Sequence, residues 1–137
     1  MVACDSEGDF IIAEAGAAMS VSEALHAETI AIMKAINLAV RMGCGRIIIA
    51  TDCQVLQKAI TSSEYDLSAL GALFMDAKFL LCTEFSDYKV VHVPRTCNKP
   101  AHELAAIGLR GASNYHQVWE DQVPDSVSRA LHGDSTV

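Results

Sequence analysis

The sequence predicts a single α/β domain with a mixed sheet and helices on both of its faces, and two observations carry that reading. Short apolar runs alternate with longer segments of helical period, in the order ββαβααβ followed by a further helix. The run Arg46-Ile47-Ile48-Ile49-Ala50 lacks polar alternation, as strands buried on both faces do, and a helical pattern follows it directly. A chain of 137 residues with 51% hydrophobic and 20% charged residues can bury its own core as one globular unit.

The elements follow in order. Met1 to Cys4 and Phe10 to Ala13 read as two strands joined by the turn Asp5-Ser6-Glu7-Gly8-Asp9. Ser20-Val21-Ser22-Glu23 has the form of a capping box and opens a helix to about Met42, stopped by Gly43 and Gly45. On that helix Val21, Leu25, Ile32, Ile36 and Ala39 share one face, opposite Glu23, Lys34 and Arg41. The strand from Arg46 ends at Thr51-Asp52, and a helix from about Cys53 to Ile60 follows. A third helical pattern covers Leu67 to about Leu81, and Tyr88 to Val93 reads as another strand ended by Pro94. Asn98, as N-cap, and Pro100 open a last helix from Lys99 to about Leu109, closed by Gly111. The domain is expected over residues 1–124. Residues 125–137 form a C-terminal tail whose polar end is expected to fray.

Composition narrows the function classes. No apolar run approaches the roughly 18 residues of a membrane helix, and the acidic N-terminus lacks the pattern of a signal peptide. An intracellular, non-secreted protein is expected, nuclear or cytoplasmic. The five cysteines are scattered, odd in number and free of any Cys-x-x-Cys pair, which fits reduced thiols. A net charge of -7 opposes strong non-specific binding to phosphate backbones, although a metal-dependent nuclease site is itself acidic. Oligomeric state is open.

Three residues stand out as candidates for chemistry. Glu28 falls at the edge of the apolar stripe of its helix, between Leu25 and Ile32. It reads either as a metal ligand aimed at a strand terminus or as an amphipathic edge residue reaching solvent or a basic partner. Asp52 ends a buried strand where ligands of α/β sheets bind, and the same position suits an N-cap. His102, on the first turn of the last helix, is a surface or half-buried histidine on position alone. His26, His92, His116 and His132 show no metal-ligand spacing, and no Gly-rich phosphate loop follows a strand.

Taken together, Ala27-Glu28-Thr29-Ile30-Ala31, Ile49-Ala50-Thr51-Asp52-Cys53, and Val93-Pro94-Arg95 with Asn98-Lys99-Pro100-Ala101-His102-Glu103-Leu104-Ala105 resemble the three downstream motifs of ribonuclease H type 1 domains. The resemblance is closest to the plant, retroelement-related, reverse-transcriptase-like branch and spans nearly the whole chain. It implies a three-layer fold and metal-dependent hydrolysis of RNA in RNA/DNA hybrids. In that chemistry four carboxylates gather two Mg²⁺ or Mn²⁺ ions, hard cations suited to oxygen ligands.

By the resemblance Glu28 and Asp52 are metal ligands and catalytic residues, His102 is a ligand or substrate contact, and Arg95, Asn98 and Lys99 face nucleic acid. The pattern departs at two places. The aspartate of the family's first strand lies upstream of the hairpin, so that strand is missing from the expected fold, and His102 stands where the family has a carboxylate. Impaired activity is therefore the expectation. The alternatives are a non-catalytic nucleic-acid-binding or protein-interaction module that keeps the fold, and an unrelated small α/β domain binding a small ligand.

Overall fold

The computed structural model describes residues 1–7, 10–16, 24–111, 116–120 and 122–132, and for Val2, Phe10 and residues 14–16 the backbone alone. The expected capping box at residues 20–23 and the polar end at 133–137 lie outside the described residues. The element order is β1 (Val2–Cys4), β2 (Phe10–Gly16), α1 (Ala24–Arg41), β3 (Arg46–Thr51), α2 (Gln54–Thr61), α3 (Gly71–Glu84) and β4 (Asp87–His92). A 3₁₀ turn (Arg95–Cys97), α4 (Lys99–Arg110), β5 (His116–Trp119) and α5 (Asp125–Leu131) follow. The order ββαβααβα read from the sequence is present, and β5 and α5 are additional. The chain divides into two compact units, residues 1–20 with 95–137, and residues 21–94.

In the second unit β3 and β4 pair in parallel from Arg46↔Asp87 to Thr51↔His92. Backbone bonds fasten both ends of the pair, Ser86 N–H to the Gly45 carbonyl at 2.8 Å and Val93 N–H to the Thr51 carbonyl at 2.9 Å. One core joins Ile32 and Ile36 of α1, Leu56 and Ile60 of α2, and Phe74 and Leu81 of α3 with Val90 of β4. The stripe expected on α1 is thus buried at Ile32 and Ile36 and half-buried at Leu25 and Ala39, while Lys34 and Arg41 are exposed. Burial of these side chains is what holds the helices to the sheet, at roughly 1.5–3 kcal/mol for each large one.

Two boundaries show local chemistry at work. α1 ends where Gly43 takes φ 73°, with Gly43 N–H on the Val40 carbonyl at 3.0 Å and Cys44 N–H on the Ala39 carbonyl at 3.1 Å. That is a Schellman ending, and it confirms glycine as the stop. The third helix starts at Gly71 and not at Leu67, because residues 65–70 form turns instead. There Ser68 N–H and Oγ both donate to the Tyr65 carbonyl, and Gly71 N–H donates to Ser68.

In the first unit β2 lies between β1 and β5, antiparallel to both. Asp5 sits in the hairpin turn, as expected, where its carboxylate accepts the Glu7 N–H at 2.9 Å. Ala13 of β2, Leu104 of α4 and Val127 of α5 are fully buried together, with Ile107 and Trp119 against them. The mixed character of the fold is therefore distributed: antiparallel pairing in one unit, parallel pairing in the other. No helix among the described residues is long and apolar enough to cross a membrane.

Candidate functional site

Asp52 stands at the carboxyl end of β3, on the turn into α2, and is half-buried. The turn is shaped by Thr51, whose buried hydroxyl accepts the Cys53 N–H at 3.1 Å. Asp52 is not the cap of α2. Cys53 takes that position, without a side-chain bond to the helix. From the other side of the turn Gln57 of α2 reaches the Val90 carbonyl of β4 at 3.4 Å, a long contact that ties the helix start to the strand pair. Thr51 and Gln57 were not singled out from sequence. A Thr two residues before the N-cap of a helix is the local signal for the first; the second has none.

Glu28 lies one turn into α1, in the same compact unit as Asp52, and is exposed, while the adjacent Thr29 is fully buried with its hydroxyl on the Leu25 carbonyl at 2.7 Å. The stripe edge predicted for Glu28 is therefore resolved toward solvent. Both Glu28 and Asp52 engage neighbouring groups.

The other residues belong to the first unit. Arg95, Asn98 and His102 follow one another up a continuous turn, in which Asn98 N–H donates to the Arg95 carbonyl at 3.0 Å and His102 N–H to the Asn98 carbonyl at 3.1 Å. Arg95, Lys99 and His102 are exposed and Asn98 is half-buried. Asn98 occupies the N-cap position, as expected, yet its side chain makes no capping bond. Its backbone angles, φ -117° and ψ 25°, are outside the extended region that N-cap side chains use, which corrects the capping role read from its identity.

Among the described residues no three His, Cys, Asp or Glu side chains gather as a metal group. The donors present still have the right chemistry for a hard ion: Mg²⁺ is commonly held through one or two carboxylates, with water and substrate phosphates completing its shell. Glu28 and Asp52 are carboxylates of the kind that would hold such an ion, and two of them fall short of the four that a two-ion set uses.

Residues 1–108 match the family model described as reverse transcriptase-like. The chain belongs to that family. Its fold is that of a ribonuclease H-like domain: the crystal structure of RNase H1 from the halophilic archaeon Halobacterium salinarum NRC-1 matches with a TM-score of 0.72 and 30% sequence identity, over 81% of this chain and 83% of that one. No curated protein matches. Family and fold together give the domain a nuclease-type, hydrolase ancestry, and they agree with the α/β reading and with the motif order seen in the sequence.

Proposed function

We propose that this domain acts on nucleic acid, with RNA/DNA hybrids as its ligand and metal-dependent hydrolysis of the RNA strand as its parent activity, impaired in this chain. The observation that carries the reading is the place of Asp52, a half-buried carboxylate at the carboxyl end of a parallel strand, where open α/β sheets bind their ligands. When bound, Mg²⁺ or Mn²⁺ supplies the Lewis-acid charge that such hydrolysis needs. The part of the chain itself is to hold the ion through Asp52 and Glu28, and to contact the substrate backbone through Arg95, Asn98 and Lys99 with His102 beside them. Histidine is no carboxylate, so His102 brings no negative charge at the motif position where the family has one, which is the reason for impairment.

We infer further, from the likeness of the three motifs, that the chain descends from the plant, retroelement-related branch. The second reading, a non-catalytic module that keeps the fold, is favoured by His102 and by the net charge of -7.

One experiment separates them. Mg²⁺ and Mn²⁺ are titrated into the chain with a labelled RNA/DNA hybrid, following cleavage and binding together, with Asp52→Asn and Glu28→Gln as controls. Metal-dependent cleavage lost in both variants supports the enzyme. Hybrid binding without cleavage supports a nucleic-acid-binding module, and neither binding nor cleavage rejects any action on hybrids and leaves the protein-interaction form of the module.

A further inference from the structure

Helix α3 is apolar on two sides. Phe74, Ala77 and Leu81 are fully buried against α1 and α2, yet Phe79 is 68% and Met75 55% exposed on the opposite face. Ala72, Met75, Phe79 and Thr83 are all exposed and follow one another at helical spacings of three and four, so they form one stripe. The Thr83 hydroxyl is turned back onto the Phe79 carbonyl at 2.8 Å, so the polar atom of that residue is already engaged. A surface helix of a globular domain ordinarily carries charge on this side. Here it carries a seam of the kind that packs against another helix.

The charges beside the seam say what would fit. Asp76 is exposed on α3 beside the seam, and Lys78, the one basic residue of the helix, donates to the Asp66 carboxylate and to the Ser62 carbonyl. The margin is therefore acidic, on a chain that is itself acidic, so a second copy would meet like charge along the seam. Size argues the same way. The stripe is one helix wide and about 16 Å long, the footprint of a single helix and not of a whole second domain.

We propose that the exposed face of α3 is a docking site for one amphipathic helix of a protein partner, apolar on the seam and basic on its flanks. Met75 and Phe79 are the anchors, and Asp76 beside them, on an acidic chain, sets the charge preference.

The test uses the full chain and a synthetic helix about three heptads long, with leucine at the seam positions and lysine on the flanks. Its twin carries glutamate on the flanks. The lysine helix is expected to bind with micromolar affinity, weakened roughly tenfold or more by Phe79→Asp and by Met75→Asp, and the glutamate helix to bind detectably more weakly. Both variants replace exposed side chains, and unchanged circular dichroism and melting establish that they fold. Absence of binding by the lysine helix overturns the proposal, as does binding that survives both substitutions or ignores flank charge. A dimer of the chain, or adsorption to neutral lipid vesicles, that is abolished by Phe79→Asp would assign the face to a different occupant and overturn it too.

Discussion

The Thr51 hydroxyl accepts the backbone N–H of Cys53, and that single bond, 3.1 Å long, closes the turn on which Asp52 stands. Thr51 is 4% exposed, so an amide deprived of its partner there has little water to turn to. Thr51→Val keeps the shape and removes the acceptor. It is expected to cost about 1 kcal/mol of stability, read from urea denaturation, and to loosen divalent-ion binding at Asp52, whereas Thr51→Ser retains most of both. Equal stability of wild type and Thr51→Val would show that the bond does not hold the turn.

Two glycines are expected to fail for different reasons. A Cβ at Gly71 would lie 2.0 Å from the Asp66 carbonyl oxygen, a backbone atom that cannot swing aside, whereas a Cβ at Gly43 meets nothing within 4 Å but inherits φ 73°. Gly71→Ala is therefore expected to cost about 2 kcal/mol or more, and Gly43→Ala about 1 kcal/mol. Asn tolerates the left-handed region, so Gly43→Asn recovers part of the loss and Gly71→Asn recovers none. Chemical denaturation of the four variants checks both mechanisms.

The same two positions show what the sequence could tell. Gly43 was legible as a helix stop because the αL ending is a local rule, and the third helix was placed four residues early because its true start depends on the close approach of Gly71 to the Asp66 backbone. Asp52 was legible for the same reason as Gly43: a β-branched run ending in an acid and a helix start are neighbours in sequence. The orientation of Glu28 was not, since a residue at the margin of an apolar stripe is turned inward or outward by packing that spacing leaves open. Asn98 misled through its identity, an N-cap type at an N-cap position whose backbone does not bring the side chain to the helix. β5 and α5 were missed because His116–Trp119 and Asp125–Leu131 are too short to carry a clear period, and their partners Ala13 and Leu104 are distant in sequence.

Tyr88 and Cys82 predict an alkaline transition. The phenol lies 3.4 Å from the Cys82 sulfur, and its pKa is raised above the ordinary tyrosine value, first by that side-chain hydrogen bond, then by burial, then by the charge of the Cys82 thiolate. Because the folded state prefers the neutral phenol, the stabilisation is complete below the unfolded tyrosine pKa of about 10. It is lost as pH rises through the folded value. Absorbance titration of the phenolate is expected to show Cys82→Ala lowering the Tyr88 midpoint, and Tyr88→Phe removing the step. A midpoint indifferent to Cys82 would count against the contact.

Val127 tests whether the C-terminal helix is part of the folded domain. It is fully buried, with Ala13 and Leu104, at the centre of the smaller core, although it falls in a segment that composition alone suggested was a tail. The helix is short, seven residues, and starts at Pro124 without a side-chain cap, so its stability has to come from packing. Removing two buried methyl groups with Val127→Ala is expected to cost about 2 kcal/mol and to increase hydrogen exchange at the β2 and α4 amides. Exposed Arg129→Ala, on the same helix, is expected to change neither. If Val127→Ala melts at the wild-type temperature, α5 does not contribute to the stability of the unit; if it melts lower with the β2 amides opening, the cooperative domain extends to residue 131.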